Sequence, residues 1–113
     1  MDRLKGVSVG IPTYNGWRRI LDLLENLRQR TGPGVPYEIV VCDDSGNRDH
    51  RARVRTACER YGAKYIEHER NSGVAASWNS LVRANTREVS VLLNDDVLVA
   101  PDWLDYLHYA ITE

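Results

Sequence analysis

Short apolar runs alternate along this chain with longer stretches whose apolar residues recur every three or four positions. Val7, Val9 and Ile11 alternate with Ser8 and Gly10 ahead of Pro12, the period-two pattern of a strand closed by a proline. Trp17, Ile20, Leu21, Leu24 and Leu27 then share one helical face, with Asn15 placed as the N-cap. The run Thr31-Gly32-Pro33-Gly34 breaks that helix. Tyr37-Glu38-Ile39-Val40-Val41-Cys42 is apolar almost throughout, as suits a parallel strand covered on both faces. A second stripe of Val54, Ala57, Cys58 and Tyr61 stops at Gly62, and Lys64 to Glu67 forms a short third strand. Val74, Trp78, Leu81 and Val82 make a third stripe, and Val89 to Leu93 a fourth strand. Pro101 suits the first turn of a last helix with Leu104, Leu107 and Ile111 on one side.

Strand and helix therefore alternate four times, joined by connections too short for anything but crossovers. The expected fold is α/β: a mostly parallel sheet in a Rossmann-like three-layer αβα sandwich. At 113 residues the chain is expected to form one domain over 1–113. A 42% hydrophobic and 27% charged composition excludes disordered, collagenous and coiled-coil classes. The formal charge of −1 gives no support to a nucleic-acid partner. The five arginines 48, 51, 53, 55 and 60 read as a solvated helix face. No apolar stretch reaches the roughly 20 residues of a membrane span, and no apolar segment follows Met1-Asp2-Arg3-Leu4-Lys5. The expectation is a cytoplasmic protein without a signal peptide, with Cys42 and Cys58 as small buried hydrophobes in a reducing compartment.

In an open α/β sheet, ligands bind beyond the carboxyl ends of the strands. Those ends carry Pro12-Thr13-Tyr14-Asn15-Gly16, then Asp43-Asp44-Ser45-Gly46-Asn47, then Arg70-Asn71-Ser72-Gly73, then Asn94-Asp95-Asp96. The first three also suit ordinary turns and helix caps. Asn94-Asp95-Asp96 is different, because adjacent carboxylates at the mouth of a buried sheet repel unless a cation or donors compensate. A hard divalent ion bridging one or two carboxylates to a diphosphate would do so. Neither GxGxxG nor GxxxxGK[ST] occurs, which excludes the glycine cradles for phosphate. His50, His68 and His108 lack zinc-ligand spacing, and no G-x-S-x-G elbow is present. A receiver-like regulatory domain would put paired acids after the first strand and a lysine late in the chain; here Pro12-Thr13-Tyr14 ends that strand and no lysine follows Lys64.

Val9-Gly10-Ile11-Pro12-Thr13-Tyr14-Asn15 and Glu38-Ile39-Val40-Val41-Cys42-Asp43-Asp44-Ser45-Gly46 resemble the opening of family 2 glycosyltransferases of the GT-A fold. Arg70-Asn71-Ser72-Gly73-Val74-Ala75-Ala76-Ser77-Trp78-Asn79 is similar to that family's N-x-G-x-x-x-x-x-N segment, and Leu92-Leu93-Asn94-Asp95-Asp96 to its DXD region. The resemblance implies strand order 3-2-1-4 and transfer of a sugar from a UDP- or GDP-linked donor, assisted by Mn²⁺ or Mg²⁺. It implies that Pro12, Thr13 and Tyr14 line the base and that Asp43 or Asp44 accepts a hydrogen bond from base or ribose. Arg70, Asn71 and Gly73 would border the nucleotide, Asn79 would tie the third helix to the site, and Asp96 would coordinate the metal. Asn94 stands where the family has an acid, with Asp95 between; an amide oxygen ligates ribose or metal but brings no charge. Family members continue into an acceptor-binding half that carries the general base, so this chain reads as the nucleotide-sugar-binding half, a fragment or an unusually short member. No general base is identifiable, and Asp102 and Asp105 read as solvated helix-start acids. Enzyme and nucleotide-sugar-binding half-domain without turnover are both open readings. The fourth strand would lie at an open sheet edge, where pairing with a second copy would give a homodimer.

Overall fold

Eight elements form in the expected order: β1 (Leu4–Thr13), α1 (Trp17–Arg30), β2 (Tyr37–Asp43), α2 (Arg48–Tyr61), β3 (Lys64–Glu67), α3 (Val74–Ala84), β4 (Arg87–Leu92) and α4 (Trp103–Thr112). They belong to a computed structural model that describes residues 3–112; Met1, Asp2 and Glu113, and the expectations about a leader and the chain's end that rest on them, lie outside the described residues. The strands pair in parallel in the order β3-β2-β1-β4. Val7, Val9, Ile11, Ile39 and Val41 turn to one face of the sheet and pack with Ile20, Leu23, Leu24 and Leu27 of α1, with Val54, Ala57 and Cys58 of α2, and with Leu104 of α4. On the other face Val40 and Cys42 meet Leu81 of α3. The result is the three-layer sandwich that the alternating pattern requires, with three helices on one side and one on the other. Among the described residues no helix is long and apolar enough to cross a membrane.

Pro12 does not close β1, which runs on to Thr13. Residues 10 and 12 turn their backbone polar groups toward β4, and that strand ends at Leu92, opposite Gly10. The N–H that proline lacks would have had no ladder partner, so the ring is tolerated there. Asn15 is not the N-cap of α1. It sits at φ 54°, a left-handed conformation that asparagine tolerates, and the capping position falls to Gly16 without a side-chain bond.

The α3 stripe departs most from expectation. Ser77 and Leu81 are the buried residues of α3, while Val74, Trp78 and Val82 are 57%, 41% and 49% exposed. Ser80, on one flank of α3, reaches His68 beyond β3. The helical period puts Val74, Trp78 and Val82 on the opposite flank, toward β4 and the exposed Leu92. The sheet buries Ser77 and Leu81 of α3 and leaves most of the apolar stripe uncovered. Ile111 is likewise exposed on α4, where Leu104 carries the packing. Cys42 and Cys58 are free and buried, as expected, and burial pushes their thiols up to about 11 and about 12.

The segment after β4 is strapped to α1. The Asn26 side chain bonds both the N–H of Val99 (2.7 Å) and its carbonyl (3.4 Å), imitating a strand partner. Trp103 Nε1 donates to Thr31 Oγ1 at 2.8 Å, and the Asp102 N–H to the Arg30 carbonyl at 3.1 Å. With Leu93 N–H bonded to the Gly10 carbonyl (2.9 Å), the intervening Asn94-Asp95-Asp96 turn is anchored at both ends.

Candidate active site

Parallel strands deliver all four of their carboxyl ends to one rim, and a cleft of about 420 Å³ opens there. Pro12, Thr13 and Tyr14 line it from β1, and Asp44 from the end of β2. Asn71, Gly73, Val74 and Ser77 border it on the α3 side. Asn94, Asp95 and Asp96 close it beyond β4, with Arg19 reaching in from α1. The β1 and β2 ends are stitched together by the Asp44 N–H, which donates to the Thr13 carbonyl at 2.9 Å.

Asp44 is 4% exposed and fully engaged. Its Oδ1 accepts the Ser72 N–H and faces His68 Nδ1, both at 2.8 Å, while Oδ2 accepts the Gly73 N–H at 2.9 Å. Burial acts to raise this carboxyl's pKa, but the Ser72 N–H, His68 and the Gly73 N–H outweigh it and hold the group below its ordinary range. Gly73 sits at φ +91°, a conformation that side chains resist, and this lets its N–H turn back onto Asp44 as α3 begins. His68 continues outward through Nε2 to Ser80 Oγ of α3 at 2.8 Å. One carboxylate therefore fixes the β3–α3 loop that forms a wall of the cleft.

Asp43 has a different place. It is fully buried, accepts the N–H and hydroxyl of Ser45 at 3.0 and 2.7 Å, and accepts the Tyr65 hydroxyl at 3.2 Å. His50, itself buried, stands 2.8 Å from Ser45 Oγ and 3.4 Å from Asp43. Asp43 does not line the cleft; it organises the turn into α2. Arg51, expected on a solvated face, donates to the backbone carbonyls of Ser45 (2.8 Å) and His68, binding the β2 and β3 loops together.

Asp95 is held between Thr13 Oγ1, which donates to Oδ2 at 2.8 Å, and Arg19 Nε, which donates to Oδ1 at 3.1 Å. Gly16 lies beneath this group. A Cβ there would overlap Asp95 Oδ2 and stand 2.7 Å from Arg19 Nη2 and 2.8 Å from Thr13 Oγ1, so a larger residue would push these side-chain ends apart. Asp96 is exposed at the mouth, and among the described residues no hydrogen bond or ion pair engages its carboxylate. No group of three or more metal-ligating side chains occurs among the described residues.

Residues 8–113 match the family described as Glycosyl transferase family 2. The chain belongs to that family. The family 2 chain is 28% identical over 99 residues to YwdF, an uncharacterised glycosyltransferase of Bacillus subtilis (strain 168), covering 88% of this chain and 35% of that protein. TarS 1–349 of S. aureus, solved in complex with UDP-GlcNAc, matches with a TM-score of 0.81 at 25% identity over 95% of this chain and 31% of its own. The mannosyltransferase PcManGT of Pyrobaculum calidifontis, solved with GDP-Man and Mn²⁺, matches with a TM-score of 0.77 at 26% identity over 96% of this chain and 32% of its own. The chain thus spans about a third of the length of these relatives. Its β3-β2-β1-β4 sheet with flanking helices is the GT-A arrangement that the resemblance implied.

Within this family 2 domain, the cleft brings together Pro12, Thr13, Tyr14, Asp44, Asn71, Gly73, Asn94, Asp95 and Asp96 from the motif positions. Asp43, Arg70 and Asn79 fall outside its lining. Arg70 is exposed and offers its carbonyl to Ser72 Oγ at 2.9 Å. Asn79 is exposed on α3; Ser77 and Ser80 make that helix's contacts to the site instead. His68 and Arg19 are the residues that sequence reasoning passed over. Neither sits in a motif, and each becomes visible only once β3 and α1 are placed beside the acids they meet.

Proposed function

We propose that this cleft holds the nucleoside diphosphate of a UDP- or GDP-linked sugar, and that the chain is the donor-binding part of a glycosyltransferase. The observation that carries the reading is the pairing of two unlike carboxylates on one rim. Asp44 is buried and committed to shaping the wall, whereas Asp96 is exposed at the mouth and uncommitted among the described residues. A divalent ion completes its shell with one or two carboxylates plus phosphate oxygens and water. The donor set here, the Asp96 carboxylate with the Asn94 amide oxygen, suits an ion that arrives with a diphosphate and is too small to hold one alone. When bound, Mn²⁺ or Mg²⁺ supplies charge to a departing diphosphate. The relatives solved with UDP-GlcNAc and with GDP-Man and Mn²⁺ support the same ligand class.

A second reading rests on the carboxylate census. Asp44 and Asp95 are engaged within the protein and Asp96 would serve the cation, so among the described residues no cleft carboxylate is left to take a proton from an acceptor hydroxyl. We expect this chain by itself to bind donor without transferring it. Calorimetric titration of UDP and GDP, each with EDTA and with Mn²⁺, tests the first reading: one nucleotide should bind, and more tightly with the ion. Absence of binding by both would defeat it. Sugar release from UDP- and GDP-sugars above the protein-free rate would defeat the second.

We propose a homodimer through the open edge of β4. The outer edge of β4 has no strand partner among the described residues, and Leu92, Val74, Trp78 and Val82 stand exposed alongside it. Such an edge templates another strand. Sedimentation velocity should show a concentration-dependent dimer that Trp78→Glu dissolves; a monomer at every concentration would refute it.

A further inference from the structure

We infer that Arg19 removes Asp95 from the cation-binding set and offers its own guanidinium to the diphosphate in its place, an inference that rests on the donor-site reading above. An exposed ion pair would ordinarily carry little weight, but this one is built in. Asp95 is 14% exposed, takes a second bond from Thr13, and the three side chains close over Gly16, where any Cβ would collide. The Nε–Nη2 edge of Arg19 faces Asp95 and Gly16, and the rest of the planar group belongs to a side chain that lines the cleft and is half exposed. A guanidinium in that position has N–H groups to spare for phosphate oxygens, the geometry it matches best.

The charges around the acidic turn then read differently from its sequence. Asn94 brings no charge, Asp95 is neutralised by Arg19, and Asp96 alone remains for a cation. Part of the diphosphate's charge is met by a fixed arginine, so a share of nucleotide binding is independent of metal. Removing Arg19 should have two effects of opposite sign. Metal-free nucleotide binding weakens, because a cation is lost; ion binding tightens, because Asp95 is released as a second carboxylate beside Asp96.

The test is Arg19→Ala, read by calorimetry of UDP and GDP in EDTA and by the Mn²⁺ concentration for half-maximal nucleotide-bound ion, followed by electron paramagnetic resonance. Metal-free affinity should fall roughly tenfold, while the Mn²⁺ midpoint should drop severalfold. Arg19→Lys should keep most of the metal-free affinity, and Arg19→Ala with Asp95→Asn should abolish the tightening of Mn²⁺ but not the metal-free loss. A merely structural arginine would weaken both quantities together. That result, or no change in either, overturns the inference. Failure of the wild-type domain to bind UDP or GDP would instead defeat the donor-site reading beneath it.

Discussion

Replacing Asp44 with alanine will cost the domain both the shape of its cleft and a large share of its stability. The variant leaves the N–H groups of Ser72 and Gly73 and the Nδ1 of His68 without their common acceptor. Buried or half-buried donors left unmet cost about 1–3 kcal/mol each, so the loss should be about 2–4 kcal/mol after water reaches the outer ones. That is a large part of what a domain this size holds in reserve. Urea unfolding should show it as a lower midpoint with an unchanged slope. Nucleotide affinity should fall by roughly a hundredfold, because the β3–α3 wall is no longer pinned to β2. Asp44→Asn should fall between, since one amide oxygen still accepts. The carboxyl's depressed pKa fixes the pH dependence: its contribution is complete above the ordinary aspartate value of 3.8 and is lost as pH falls through the lower folded-state value. The stability gap between wild type and Asp44→Asn should therefore hold through neutrality and close only in that acid range. A gap that closed near pH 6 would contradict this account.

The layered sheet was legible because the apolar patterns differ by element: alternating in β1, continuous in β2 and striped every three or four residues in the helices. Val9 and Ile11 pair in register with Ile39 and Val41 at the centre of the larger core, while Val40 and Cys42 serve the smaller one on the other face of the sheet. The α3 stripe misled for the same reason. Periodicity reports that a face is apolar, not what covers it, and Val74, Trp78 and Val82 look beyond the sheet. Asn15 was misplaced because asparagine serves both as a cap and in the left-handed turn, and only the backbone decides between them. Within the site, adjacent acids could not be told apart in sequence. Asp43 and Asp44 point to opposite sides of one strand end, so one is sealed by Ser45 and Tyr65 and the other meets the cleft. Arg19 and His68 were invisible for a related reason: their chemistry exists only between residues 76 and 24 positions apart in the chain.

Asp96→Ala should have the contrary profile to Asp44→Ala. The side chain is exposed and unpartnered among the described residues, so its removal should change stability by no more than about 0.5 kcal/mol. What should vanish is the response to metal. Wild-type domain should bind UDP or GDP at least about tenfold more tightly with Mn²⁺ than with EDTA, since the ion joins carboxylate and phosphate charges that otherwise repel. In Asp96→Ala the two titrations should coincide. Without metal the variant should bind at least as well as wild type, because a negative charge facing the diphosphate has gone; a loss of metal-free affinity would mean that Asp96 acts by shaping the turn and not by holding an ion. Asp96→Asn should retain a trace of the Mn²⁺ response through its amide oxygen, and Asp95→Ala should spare the response altogether, since that carboxylate is already taken by Thr13 and Arg19.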